Sequence, residues 1–278
     1  MPTIEENRER WLIYNWSEEG DEWSAEWGGT PYLWYGTIFP RIQAFFPTGS
    51  ILEIAPGYGR CTQYLLSLCR ELTVVDLAEK CINACRERFK TSPYIKYFVN
   101  DGKSLDMINN NSIDFVFSWD SLVHAESDVL FSYLKHLATK LKQGGYGFIH
   151  HSNIGAFKNP ETGELSVENL HWRATSMTAE LFREYCNEVG LKCISQEIIG
   201  WGGEVLNDCF SLFTREGRKT YHDTEILENK DFMHEAYRLR KIAKLFKPAQ
   251  MSGRITKSEK SLISKLKKIF VNKGSFSN

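Results

Sequence analysis

From Ser50 onward, short apolar runs alternate with longer amphipathic ones, the pattern of strand-helix-strand units wound around a parallel sheet. Residues 51–55 predict a buried strand, 56–59 a glycine turn, and 60–70 a helix. A second strand follows at 72–76, a helix at 77–90, a third strand at 94–99 and a fourth at 113–118. A long helix is predicted over 127–141, broken by Gly144 and Gly145 before a fifth strand at 146–151. A helix over 178–189 ends at Gly190, and strands at 191–199 and 208–214 are joined by the short 200–203 connection. So short a link makes those last two strands an antiparallel hairpin at the sheet edge.

The expectation is one α/β domain with a mixed seven-stranded sheet, strand order 3-2-1-4-5-7-6, and helices on both faces. A length of 278 residues suits one such domain with additions better than two equal ones. The predicted organisation is an aromatic cap or lid at 1–49, the core at 50–215, and a helical, lysine-rich extension at 216–278. Trp11, Trp16, Trp23, Trp27 and Trp34, with Tyr14, Tyr32 and Tyr35, crowd the first segment at a density that a disordered tail would not carry.

Composition narrows the function. A 42% hydrophobic and 25% charged chain reads as an ordinary water-soluble globule, and no apolar run reaches the roughly 18 residues that a membrane span needs. The N-terminal residues lack the basic and apolar regions of a secretory signal, so a cytoplasmic location is expected. Seven scattered cysteines are poor material for a disulfide framework and are read as reduced thiols. The net charge of -1 offers no general attraction to a polyanion, so no nucleic-acid partner is expected.

The strongest local signal is Ile51-Leu52-Glu53-Ile54-Ala55-Pro56-Gly57-Tyr58-Gly59, a buried strand running into a turn that lets a ligand approach the backbone. Val74-Val75-Asp76 ends the next strand with a carboxylate whose two oxygens can hold a ribose diol. A dinucleotide site wants a third glycine where Thr62 stands, so the pyrophosphate cradle is missing and a mononucleoside cofactor fits better. Asn100-Asp101-Gly102 closes the third strand with an acid placed to meet an adenine amine at the same edge; an Asp-Gly turn without a ligand would read the same way.

These motifs, over about residues 50–215, resemble those of the class I S-adenosylmethionine-dependent methyltransferases, with their Rossmann-like sheet. The resemblance implies S-adenosyl-L-methionine as cofactor. It makes Glu53, Ala55, Gly57 and Gly59 the loop beside the methionine moiety, and Asp76 with Leu77 the ribose contact. Asp101 with Gly102 would meet adenine, and Ser118 and Trp119 would lie beside the sulfonium. One departure is Ala55, where the family commonly has glycine. The start of the chain and the His-His-Ser-Asn strand end also look like bacterial sugar, polysaccharide or natural-product O-methyltransferases.

Candidate chemistry sits at the carboxyl ends of strands four and five, where open α/β sheets hold ligands. Ser118-Trp119-Asp120-Ser121-Leu122-Val123-His124 lacks the proline-tyrosine tetrapeptides that in this family mark methylation of nucleobase amines. His124, His151 and Asp120 are candidates for the general base that an attacking hydroxyl needs. His150, Trp172 and Arg173 are candidate substrate contacts, the arginine suited to a carboxylate or phosphate. The histidines with Asp120 also resemble a divalent-cation set, but their spacing is not diagnostic and no metal site is assigned.

The function expected from these residues is transfer of a methyl group to a hydroxyl of a small molecule or a sugar or glycan. N- or C-methylation of a small metabolite, or a catalytically silent cofactor-binding partner subunit, are the alternatives. Residues 258–270 form an amphipathic pattern with lysines on one face. Packing on its own domain or in a homodimer is the first expectation for it, and peripheral contact with an anionic membrane the second.

Overall fold

The computed structural model describes residues 3–216 and 223–246, and the basic pattern at 258–270 lies outside them. Eight strands form one sheet in the order β3-β2-β1-β4-β5-β7-β6-β8. They are β1 (Thr48–Ile54), β2 (Cys69–Asp76), β3 (Ile95–Val99), β4 (Ile113–Ser118), β5 (Leu141–Ser152), β6 (Lys192–Ile199), β7 (Asp208–Thr214) and β8 (Glu225–Asn229). β3, β2, β1, β4 and β5 run parallel, and β7 pairs antiparallel with both β5 and β6. The predicted seven-strand order is therefore present, with an eighth strand added parallel to β6.

Parallel strands covered on both faces must be apolar throughout, and Leu52, Val74, Val75, Val116 and Phe117 are fully buried accordingly. One face packs on the N-terminal helices, on α5 (Glu79–Arg88) and on α8 (Phe232–Leu245), around Trp34, Ile82, Phe117 and Phe232. The other face packs on α6 (Ser127–Lys140) and α7 (Ala179–Glu188), around Leu134, Phe182 and Phe213. The N-terminal helices are α1 (Ile4–Ile13), α2 (Thr30–Leu33) and α3 (Phe39–Ile42), the last two joined by a π-turn. Thr3 and Glu6 close a capping box at the start of α1.

Two local expectations are corrected. The helix predicted over 60–70 is only the four residues of α4 (Thr62–Leu65), because β1 begins at Thr48, which pairs with Cys69. The backbone from Cys69 onward thus belongs to β2. Gly144 and Gly145 do not precede the fifth strand but lie inside β5, where the register against β4 shifts between Ile113 and Phe115. A Cβ on Gly145 would sit 3.2 Å from the carbonyl oxygens of both Ile113 and Asp114, so a glycine is needed there.

Residues past 215 do more than append a helix. β8 extends the sheet, and α8 returns across the N-terminal segment, where a Cβ on Gly28 would meet that of Ala243 at 2.6 Å. Arg41 of α3 binds Glu197 of β6 at 2.7 Å and Glu235 of α8 at 3.2 Å. Arg41 thereby ties the N-terminal segment to both β6 and α8. No helix among the described residues is long and apolar enough to cross a membrane.

Candidate active site

A cavity of about 530 Å³ opens between the carboxyl ends of the parallel strands and the N-terminal segment. One wall is the β1 turn. Ala55 adopts φ +57°, the left-handed conformation that costs a residue with a Cβ about 1 kcal/mol. Its N–H donates to Val75 at 2.7 Å, and its carbonyl accepts from the Ser121 hydroxyl at 2.8 Å. The alanine thus keeps the backbone geometry of a glycine at the place where glycine is common in the family. Gly57 follows at φ +57°, and a Cβ there would lie 3.0 Å from Trp16.

Asp76 lies at the end of β2, buried, with Oδ2 accepting from Gly57 N–H at 3.2 Å and Oδ1 from Ala78 N–H at 2.8 Å. Burial pushes its pKa up to about 6. Glu53 is more deeply desolvated, and burial raises it to about 8 although Thr62 donates to its Oε2 at 2.6 Å. Thr62, which replaces the third glycine of a dinucleotide site, is therefore the partner that holds the motif carboxyl group.

Glu53, Ala55, Gly57, Asp76, Leu77, Gly102, Trp119, Asp120, His124, Trp172 and Arg173 all line the cavity. Gly59, Ser118, Asp101, His150 and His151 do not. Gly59 serves packing, since a Cβ there would lie 2.5 Å from Phe89. Ser118 is spent on the Ile54 carbonyl at 2.9 Å. Asp101 is exposed, and its Oδ1 accepts from Lys103 and Ser104 N–H groups at 3.0 and 2.7 Å. Slight burial raises its carboxyl, but those bonds prevail and hold it below its usual range.

The two strand-five imidazoles point to opposite faces, as neighbours on a strand must. His151 stacks on Phe182 with centroids 4.4 Å apart and bonds Ser211 Oγ and the Ser152 carbonyl, each at 2.8 Å. It is a core residue, which removes it from the base candidates. His150 accepts from Asp120 N–H at 3.2 Å through Nδ1, so Nε2 carries the proton and donates to Asp208 at 3.0 Å. It acts behind the cavity wall, not as a substrate contact.

Arg173 lines the cavity but is bound to Asp208, with Nε and a terminal nitrogen at 2.9 and 2.7 Å from its two oxygens. Fully buried Asp208 keeps its charge despite desolvation because Arg173 and His150 face it, and its pKa falls to about 2. Asp120 sits at φ +54° and takes Arg60 at 3.2 Å, with Arg173 3.8 Å away. Two guanidinium groups therefore occupy it, and it is no free base.

His124 is the imidazole that reaches the cavity. Its Nδ1 lies 2.9 Å from the Trp172 carbonyl, so Nδ1 holds the proton of the neutral ring and Nε2 the lone pair. Burial, reinforced by the nearby Arg173 charge, lowers its pKa to about 4. Among the described residues, no group of three or more His, Cys, Asp and Glu is arranged to hold a metal ion.

The opposite wall is the N-terminal segment, with Trp11, Tyr14, Trp16 and Trp23 in mutual ring contact at 5.1–6.4 Å and Trp16 stacked on Tyr58 at 4.5 Å. The tryptophan density was the sequence signal for this wall. Its polar groups carried none. Asn7 Oδ1, Glu22 Oε1 and Trp119 Nε1 are buried, line the cavity and have no partner in the protein. Native proteins seldom orphan such groups without a ligand to meet them. With the open glycine turn and the Asp76 carboxylate, they fit a polar nucleoside cofactor.

This sheet order, with its cavity over β1 and the Asp76 carboxylate at the end of β2, is the Rossmann-like arrangement of the class I methyltransferase fold. Residues 51–145, from β1 into β5, match the methyltransferase domain family and form a domain of that kind. A maize phosphoethanolamine N-methyltransferase is 27% identical over 149 residues, which are 52% of this chain and 29% of the relative. The chain thus spans less than a third of that relative's length. Among solved structures, an S-adenosylmethionine-dependent methyltransferase of Leishmania major superposes with TM-score 0.56 at 14% identity, covering 76% of this chain and 82% of its own. One from Clostridium acetobutylicum gives 0.52 at 16%, covering 74% and 97%. At such identities these likenesses speak for the fold.

Proposed function

We propose that the chain methylates a small amine enclosed between the strand ends and the tryptophan wall. One observation carries this. Glu22 faces the cavity with a buried Oε1 that has no partner, while its Oε2 accepts from Gly20 and Glu18 N–H groups at 2.9 and 3.2 Å. A carboxylate beside Trp11, Tyr14, Trp16 and Trp23 is the chemistry that holds a cationic nitrogen. The maize relative, named for N-methylation of phosphoethanolamine, supports the same nucleophile.

Bound S-adenosylmethionine supplies an electrophilic methyl group on a sulfonium. Asp76 holds the ribose, and the Gly57 turn lets the methionine moiety lie against the backbone. The indole wall excludes water from the reacting centre. The bound ammonium has no lone pair, so it first passes a proton to the unpartnered Glu22 Oε1 and then attacks the methyl group as the neutral amine; beyond that one proton the site needs orientation more than a strong base. That suits His124, whose pKa near 4 makes it neutral but weakly basic.

A hydroxyl of a small molecule or sugar is the second acceptor class, favoured by the His124 Nε2 lone pair at the cavity. Incubation with methyl-labelled cofactor and panels of small primary amines and polyols distinguishes the two by mass spectrometry. Label on nitrogen, with a higher KM for the amine in Glu22→Gln, is the expected result. Label on oxygen, abolished in His124→Ala, would replace the amine by the hydroxyl.

A further inference from the structure

Among the residues that line the cavity, a Cβ on Gly102 would lie 3.7 Å from Leu77 Cβ, next in the chain to Asp76, and Ile4 packs on the apolar cluster that holds Ala125 and Val129. With Gly102 against Ile4, these residues form an apolar slot beside the Asp76–Leu77 strand end. A ribose held by Asp76 therefore sends its base into that slot, because a flat heterocycle is the part of the nucleoside that apolar walls accommodate. A Cβ on Gly102 would lie 2.7 Å from Ile4 Cγ2, so α1 forms the slot's outer wall.

The base still has an exocyclic amine to satisfy, and burying its N–H groups unbonded is costly. Asp101, expected to accept from it, faces solvent and is occupied by its own loop. Asn7 stands one helical turn after Ile4, on the same face of α1. It is 9% exposed and lines the cavity. Its Nδ2 donates to the Thr3 and His124 carbonyls at 3.2 and 3.1 Å, which fixes the amide orientation and spends both hydrogens. What remains is Oδ1, a buried acceptor with two lone pairs and no donor.

We infer that Asn7 is the residue that recognises the adenine amine, so that the N-terminal helix, not the end of β3, reads the base. This rests on the cavity being the cofactor site. The lid then closes over a bound nucleoside with a specific contact as well as an apolar cover. The same amide ties the base to the backbone of His124, at the start of the acceptor region.

The test compares S-adenosylhomocysteine with S-inosylhomocysteine, in which an oxo group replaces the 6-amine and would oppose Oδ1. Calorimetry on the full chain should show the adenosyl compound binding about tenfold tighter, as for one hydrogen bond. In Asn7→Ala the preference should fall to near unity, chiefly through weaker adenosyl binding. A general loosening of the lid would weaken both compounds alike and keep their ratio, and that result would overturn the assignment. Asp101→Ala provides a second variant, away from the cavity wall, that should retain the wild-type ratio. Loss of discrimination there would return the adenine contact to Asp101. Failure of S-adenosylhomocysteine to bind the wild type at all would instead remove the cofactor site, and this proposal with it.

Discussion

His124 Nδ1 lies 2.9 Å from the Trp172 carbonyl oxygen, so one imidazole joins the turn after β4 to the loop after β5 at the cavity wall. Trp172 adopts φ +54° to present that carbonyl, and the adjacent Arg173 is clamped by Asp208. The orientation of the ring is therefore set from behind, by groups that need not touch a ligand.

A ring so buried should titrate low. By nuclear magnetic resonance, the His124 ring protons are expected to shift with a midpoint near 4, whereas a midpoint near 6.5 would show the ring to be solvated. The sign for stability follows. With the folded value below the unfolded one, the unfolded chain takes up the proton first, so this contribution is lost as pH falls from about 6.5 to about 4. Denaturant unfolding of His124→Gln against wild type over that window should show a shallower decline in the variant.

Asp208→Asn should cost about 3–5 kcal/mol in urea unfolding, because it leaves the Arg173 charge buried without its carboxylate. An effect under about 1 kcal/mol would mean that Arg173 finds compensation elsewhere, Asp120 at 3.8 Å being the nearest acid.

The left-handed Ala55 predicts an order of stabilities. Ala55→Gly should be neutral or up to about 1 kcal/mol more stable, and Ala55→Val about 2 kcal/mol less stable, since a branched Cβ at φ +57° is strained. Thermal melts of the three proteins check it. Equal melting temperatures for alanine and valine would contradict the turn geometry.

Strands were legible where burial on both faces enforces apolar runs, as at Val74-Val75 and Phe115-Val116-Phe117. β8 was not, because Glu225–Asn229 is a mostly exposed edge whose pairing comes from β6 and not from its own pattern. The glycine turn, Asp76 and Gly102 were readable since each needs a particular residue type at a strand end. Asp101 and His151 were misplaced because sequence gives a residue's position at an edge but not the direction of its side chain. Asn7 acts through a contact 117 residues away, Asp208 through partners 35 and 58 residues away, and Asn7 and Glu22 through bonds left unmade, none of which a local pattern encodes.

Since α1 and the following tryptophans form the outer wall, deleting residues 1–17 should weaken S-adenosylhomocysteine binding at least about tenfold, ~1.4 kcal/mol. Far-ultraviolet circular dichroism should still report the sheet and its helices. Unchanged affinity in the truncated chain would show that the wall covers the acceptor alone.

Most direct is calorimetric titration of S-adenosylmethionine into the wild type and into Asp76→Ala, the carboxylate at the end of β2. One site per chain is expected in the wild type, weakened in the variant by about 1.5–3 kcal/mol as charge-assisted bonds to the ribose are lost. Equal affinity in the two proteins, or binding of a nicotinamide dinucleotide in place of the adenosyl compound, would contradict the account.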